Sequence, residues 1–288
     1  MWEKVFDIVL DAALDSLKLL PFLFLTYWLM EWLEHRAGEK TRAAIARTGK
    51  AGPLLGAALG LVPQCGFSAA AAGLFAGGVA SLGTLFAVFL ATSDEMLPIF
   101  LGAGVAPLKI LTVLGVKFAV AVAVGFAVDL FCPQKEGEGT VHDLCDREHC
   151  HCERGIFRSA LHHTLHISLF VLIVNLALGL AIGFIGEARL AAFINAVPLL
   201  GACLAALIGL IPNCAASVLV ASLWLEGVIS GGAMLAGLLT GAGAGLLVLF
   251  RTNRSRGQSA LIALLLFVFG AFFGAVFDLT GLAALLRL

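Results

Sequence analysis

The residues best suited to chemistry come in two matching sets. Gln64, Cys65 and Ser68 follow Pro63, and Asn213, Cys214 and Ser217 follow Pro212. Each set places an amide, a thiol and a hydroxyl just after a proline, inside a long apolar run. Amide and hydroxyl oxygens are hard ligands and thiols are soft ones, so the sets together could hold a metal ion. The helix N-termini expected after the prolines would favour an anion instead. A second stretch, Thr92-Ser93-Asp94-Glu95, puts two carboxylates inside another apolar segment. Ionisable groups at such depth are costly and functional by default, which tilts the reading towards a cation. The alternatives are an interfacial position or pairing with Lys117, itself eight residues into the next apolar run. Such a pair would be structural, or would release its carboxylate when a cation arrives. Thr240, which opens the run Thr240-Gly241-Ala242-Gly243-Ala244-Gly245, completes the candidate substrate-binding residues.

A third set is soluble. His142, Cys145, His149, Cys150, His151 and Cys152 place three His and three Cys within 11 residues. This is a compact soft-metal ligand set, provided the thiols are reduced. Its spacing matches no standard zinc finger. A flexible metal-capturing segment is the reading, with a merely solvated linker as the alternative. His162 and His166 lie one helical turn apart beside His163, where they could pass metal inward or simply sit at an interface. The candidate metal ligands are therefore Asp94, Glu95, Cys65, Cys214 and the six linker residues.

The elements that must position these groups are duplicated. Between 60–83 and 209–232, 11 of 24 positions are identical at a fixed offset of 149. The identities include Gly78/Gly227, Ser81/Ser230 and Gly83/Gly232, and at the same offset Gly125/Gly274 and Asp129/Asp278. A fixed offset held over so long a span marks an internal duplication. Asp94, Glu95 and Lys117 have no charged counterparts (Gly243, Ala244 and Leu266). Asp129 and Asp278 lie near span ends, where interfacial solvation would account for them.

The chain is built for a bilayer. Of its 288 residues 60% are hydrophobic and 13% charged, against roughly 25% charge in soluble domains; mean hydropathy is +1.02. The 33 glycines suit close helix packing in lipid. The expected fold is an all-α polytopic protein of the cell membrane, with the lipid bilayer as a partner and no nucleic acid. Met1-Trp2-Glu3-Lys4 lacks the start of a signal peptide. The seven cysteines are spread between membrane and linker, unlike a secreted disulfide framework.

Glu3, Asp7, Asp11 and Asp15 form one polar stripe, so residues 1–16 should lie at the interface. Spans are expected at about 17–33, 79–101, 109–131, 157–185, 228–250 and 258–280. The segments 52–77 and 195–226 each carry a proline. Proline removes a backbone donor and clashes with the preceding turn, and each arm is shorter than the roughly 20 residues a span requires. A re-entrant hairpin or a single broken span fits both; plain packing kinks are the bland alternative. The domains are then a first membrane repeat (1–131), a polar linker (132–156) and a second repeat (157–288).

Loop charges relate the repeats. Residues 34–50 hold five basic side chains and their equivalents 183–199 only Arg189; 251–257 holds three and its equivalent 102–108 none. Basic loops stay cytoplasmic, so corresponding loops lie on opposite sides. The repeats are inverted, the linker is cytoplasmic and both termini fall outside. Two interrupted helices at matching places in inverted repeats mark a transporter's midplane site.

The chain also resembles a bacterial and archaeal family of ten-spanning heavy-metal exporters, whose members are also labelled manganese transporters or arsenic efflux proteins. The resemblance rests on Leu-Pro-Phe-Leu-Phe-Leu-Thr-Tyr (20–27), Val-Pro-Gln-Cys-Gly-Phe-Ser-Ala (62–69), Thr-Ser-Asp-Glu (92–95), the Cys/His linker, Gly-Leu-Ile-Pro-Asn-Cys-Ala-Ala-Ser (209–217) and 240–251. It implies five spans per half, against three plus an interrupted element here; both counts are odd, as inversion requires.

The expected function is secondary export of a divalent or heavy-metal cation by alternating access, with no tightly bound cofactor beyond the transported ion (Mn, Zn, Cd or an arsenic species). No Walker sequence is present, so this chain should not hydrolyse ATP. The principal alternative is transport of a small anion or a sulfur or arsenic oxyanion through the same site. A thiol enzyme is disfavoured, because no His or acid lies close in sequence to Cys65 or Cys214 to activate it. Flux at channel rates would point to a channel. The metal, the coupling ion, the direction of transport and a homo-oligomeric state are left open by the sequence.

Overall fold

A computed structural model describes most positions between 6 and 28, and residues 51–93, 96–132, 156–185 and 201–280. The described positions between 6 and 28 are helical, and eleven helices follow among the described residues. In the first half these are α1 (Gly52–Gly60), α2 (Cys65–Ala76), α3 (Leu82–Ala91), α4 (Met96–Gly102) and α5 (Pro107–Phe131). Next comes α6 (Ile156–Ile185). The second half contributes α7 (Gly201–Gly209), α8 (Cys214–Leu225), α9 (Gly231–Thr240), α10 (Ala244–Thr252) and α11 (Arg256–Leu279).

Five described stretches are long and apolar enough to cross a membrane: Leu82–Gly102, Pro107–Phe131, Ala160–Ala177, Gly231–Thr252 and Arg256–Leu279. The chain is a multi-pass membrane protein, all-helical among the described residues. α3 and α9 form the centre, with every residue of α9 buried and Leu85 to Ala91 of α3 buried. α5 and α11 form the perimeter. They turn Leu108, Leu111 and Phe126, and Leu261, Leu264 and Phe272, outward, as lipid-facing helices do.

Helix boundaries recur at the sequence offset. α1, α2, α3 and α5 begin 149 residues before α7, α8, α9 and α11. Packing recurs as well. α3 packs on α1 and α5, and α9 on α7 and α11. Across the halves, α2 packs on α10 and α8 on α4, while α3 meets its own equivalent α9. Phe100 on α4 lies 4.9 Å from Trp224 on α8.

The two aspartates explain much of this geometry. Asp129 Oδ1 accepts from Gly83 N at 2.7 Å, and Oδ2 accepts from the Ser81 hydroxyl at 2.8 Å. Asp278 repeats the arrangement with Gly232 N at 2.8 Å and Ser230 at 2.6 Å. Ser81 and Ser230 are the N-caps of α3 and α9, accepting from Thr84 N and Ala233 N. Each carboxylate thus meets the positive end of a helix and its orphan donors. These aspartates join helices, which replaces the expectation of simple interfacial solvation. The approach is close enough to require glycine. A Cβ on Gly83 would lie 2.1 Å from Gly125 O, and one on Gly232 2.3 Å from Gly274 O.

The expected span at 228–250 is interrupted at 241–243, between α9 and α10. Gly243 adopts φ +53°, in the left-handed region that a side chain disfavours. The interruption matches the one at Thr92 in the first half. Charge marks that first position and glycine the second, so the sequence made only one visible.

Gly83→Ala and Gly232→Ala should each destabilise the protein by about 1–3 kcal/mol, the range for overpacking. Asp129→Ala should cost a similar amount by orphaning two donors. Thermal unfolding of the detergent-solubilised variants would show it; unchanged melting in Gly83→Ala would remove the close contact from the account.

Candidate functional site

The two proline stretches fold alike. After α1 and α7 the chain leaves helical geometry at 61–64 and 210–213. Gln64 N donates to Val62 O, and Asn213 N to Ile211 O, both at 2.7 Å. Gln64 and Asn213 are extended N-caps of α2 and α8. Neither proline can donate to a carbonyl one turn back, so a new helix starts from a fresh cap.

One methylene separates their behaviour. Asn213 Oδ1 accepts from Ala215 N at 3.0 Å, a genuine cap, and its Nδ2 donates to Asn175 O on α6 at 3.3 Å. The longer Gln64 makes no side-chain cap; its Nε2 reaches Lys18 O at 3.5 Å. Asn175 was not singled out in the sequence. Its signal was a lone amide within the apolar run 157–185, and its buried Oδ1 has no hydrogen-bond partner.

Cys214 and Ser68 are buried, and the Ser217 hydroxyl donates to Cys214 O at 3.0 Å. Ser68 meets the glycine run of the other half. A Cβ on Gly245 would lie 2.7 Å from both the carbonyl carbon and the Cβ of Ser68, so α2 and α10 touch almost backbone to backbone. Cys65 begins α2, but its side chain lies outside the described residues, as do Asp94, Glu95, His142, Cys145, His149, Cys150, His151 and Cys152.

Around the interruptions that follow α3 and α9 the hydroxyls donate to nearby carbonyls. Thr92 donates to Val88 O at 2.8 Å, and Ser93 to Ala91 O at 2.9 Å. Thr240 Oγ1 lies within 2.9–3.1 Å of Ala206 O, Ala236 O and Gly237 O, which locks α9 to α7. These protons are committed to carbonyls. What the hydroxyls can still offer is oxygen lone pairs. Ser93 and Met96, flanking the acidic pair, are both buried.

Lys117 is where the halves meet. Its side chain has no exposed surface. Its ammonium donates to Thr92 O, at the C-cap of α3, and to Leu238 O, in the last turn of α9, at 2.7 Å. The last carbonyls of a helix lack intrahelical partners and carry the negative end of its dipole. Two equivalent helices therefore direct their negative ends at one cation. The carbonyl contribution from Leu238 was not legible in the sequence, because any residue carries the same carbonyl.

Among the described residues no three His, Cys, Asp or Glu side chains gather as a metal cluster. The rings of His162 and His166 lie 5.9 Å apart on exposed positions of α6, on one face as their spacing requires.

Asn213→Ala should cost about 1 kcal/mol through the lost cap, whereas Gln64→Ala, which removes no cap, should leave melting nearly unchanged. Comparing the two melting temperatures in detergent tests this; equal losses would mean the two proline turns are held in the same way.

A family model described as "Putative, 10TM heavy-metal exporter" matches residues 4–184, or 181 of the 288 residues. No curated protein and no solved structure matches the chain. The matched segment includes the first proline stretch, the acidic stretch, Lys117 and the Cys/His linker. Its motifs and its apolar helices agree on a membrane efflux protein, and with more than half of its length matched, this chain belongs to the family of ten-spanning heavy-metal exporters.

Proposed function

We propose that the protein is a secondary transporter, not an enzyme, that exports a divalent or heavy-metal cation by alternating access. The two halves are read as inverted repeats, with the site near the midplane where their interruptions converge. The observation that carries this reading is the environment of Lys117: a fully buried amine that donates to carbonyls from the ends of two equivalent helices. Surroundings that stabilise an ammonium this way favour cations over anions.

Dimensions support the midplane placement. α3 and α9 have ten residues each, or about 15 Å at 1.5 Å per residue. That is about half of a 30 Å hydrocarbon core. Helices entering from opposite faces would bring their C-terminal ends together at its centre, and the opposed loop charges favour such an arrangement. Interrupted helices survive there only beside protein or a water-filled cavity.

In this reading Asp94 and Glu95 supply the charge that attracts the substrate. Oxygen ligands come from Thr92, Ser93, Thr240, Gln64, Asn213, Ser68 and Ser217. Cys65 and Cys214 add soft ligands that select thiophilic metals such as Zn²⁺, Cd²⁺ or trivalent arsenic over Mn²⁺. The linker ligands His142, Cys145, His149, Cys150, His151 and Cys152 gather metal on the cytoplasmic side. Alternating access would come from one bundle moving against the other, as in other inverted-repeat transporters.

Transport into proteoliposomes tests the assignment. Asp94→Asn combined with Glu95→Gln should reduce metal flux at least about tenfold, because one lost charge interaction of 1.4 kcal/mol already corresponds to that factor. Unchanged flux would remove the carboxylates from the site. Thiosulfate or arsenate flux with no metal flux would favour the anion reading.

A further inference from the structure

The position that faces Lys117 across the duplication is Leu266. Both side chains are fully buried, at 0% exposure. The two halves match in helix boundaries and in packing, yet only one carries a cation here. Packing alone does not require the charge, since leucine fills the equivalent place. The lysine lies on the perimeter helix α5 and sends its ammonium inward, past α3, to a carbonyl of α9 in the other half. Its long flexible stem is a tether with several rotatable bonds, and the ammonium is a compact point charge.

From this placement we propose that Lys117 is a tethered counter-cation: its ammonium occupies the carbonyl ends of α3 and α9 when no metal is bound, and an incoming metal ion displaces it. The inference rests on the cation-export reading and deepens it. Two carbonyls with full lone pairs are the same ligands that a hard or borderline cation would use. A transporter whose negative helix ends converge in a low-dielectric interior would otherwise hold uncompensated partial charge between substrate ions. The ammonium supplies that compensation in the empty protein. It also makes binding an exchange of partners, in which the two carbonyls pass from the tethered ammonium to the metal ion. Lys117 is thus a specificity and return-step residue: a weakly attracted ion fails to displace it, and the empty carrier can reorient without an exposed charge deficit.

The consequence is a competition with a defined direction. If the lysine-filled arrangement outweighs the open one by ten to one, apparent metal affinity is about tenfold weaker than the carbonyls and side chains alone would give. Lys117→Met keeps the length and apolar volume of the stem and removes the charge. It should bind metal about tenfold or more tightly and at the same time transport it more slowly, because release no longer has an internal competitor. A lysine that merely staples three helices predicts the opposite, a loss of affinity together with a large drop in melting temperature.

The experiment is calorimetric titration of full-length protein with Mn²⁺, Zn²⁺ and Cd²⁺ in turn, comparing Lys117 with Lys117→Met. Both proteins carry serine at the six linker His and Cys positions. Tighter binding with slower proteoliposome flux in the variant supports the exchange. Unchanged or weaker metal binding in a folded variant overturns it and leaves the export reading standing. Binding of no metal by either protein, with thiosulfate bound by the parent and lost in the variant, overturns both. An independent readout in the unmodified lysine protein covers the case where the variant does not fold. Metal at saturation should increase labelling of Lys117 by a small amine-reactive reagent, quantified by mass spectrometry, as the ammonium leaves its carbonyls. Metal binding with no change in Lys117 labelling counts against displacement.

Discussion

A helix that stops inside a bilayer leaves carbonyls and amides with no water to satisfy them, and each such group costs several kcal/mol. Among the described residues, four helices end within apolar runs, two in each half. The solutions adopted are local and differ at the two kinds of end. Amide-bearing starts are met by oxygen: Ser81 with Asp129, Ser230 with Asp278, and the Asn213 side chain. Carbonyl-bearing stops at α3 and α9 are met by one ammonium. The same backbone carbonyls are chemically competent as ligands, because each keeps lone pairs.

Close packing sets where those ends fall. Gly83 and Gly232 let α3 and α9 lie against α5 and α11 within a distance that any Cβ would prevent. The aspartates then fix the register, since a shift of one residue would separate carboxylate from cap. With both starts fixed, the length of each central helix decides where its C-terminal carbonyls arrive. Ten residues in both halves bring them to a common place. Sequence identity at Ser, Gly and Asp is in this sense a ruler that both halves share.

Much of this was legible from residue types. The duplication, the proline stretches and the membrane class could be read because proline, glycine and charge are rare in apolar runs and carry definite backbone consequences. The stretches around Pro63 and Pro212 stand out for that reason. The interruption at 241–243 was harder to see, since glycines in lipid-embedded helices usually mean packing, and only the φ of Gly243 separates the two meanings. Asp129 and Asp278 were visible as repeated residues, yet their partners are a backbone amide and a serine 46 and 48 residues away, which periodicity does not link. Lys117 stands out by its depth in an apolar run. What holds it does not, because backbone carbonyls leave no mark in a sequence. The contact between Ser68 and Gly245 joins residues from different halves and depends on how the halves dock.

The mismatch of Lys117 with Leu266 has a consequence for symmetry. Two identical subunits related by a two-fold axis would contribute either two such ammonium groups near it or none. Two would repel at short range, and none would leave both sets of carbonyls bare. A single covalent chain is free of this parity rule. Within one chain the duplicated copies are free to diverge, so a single lysine can stand where the other copy has a leucine.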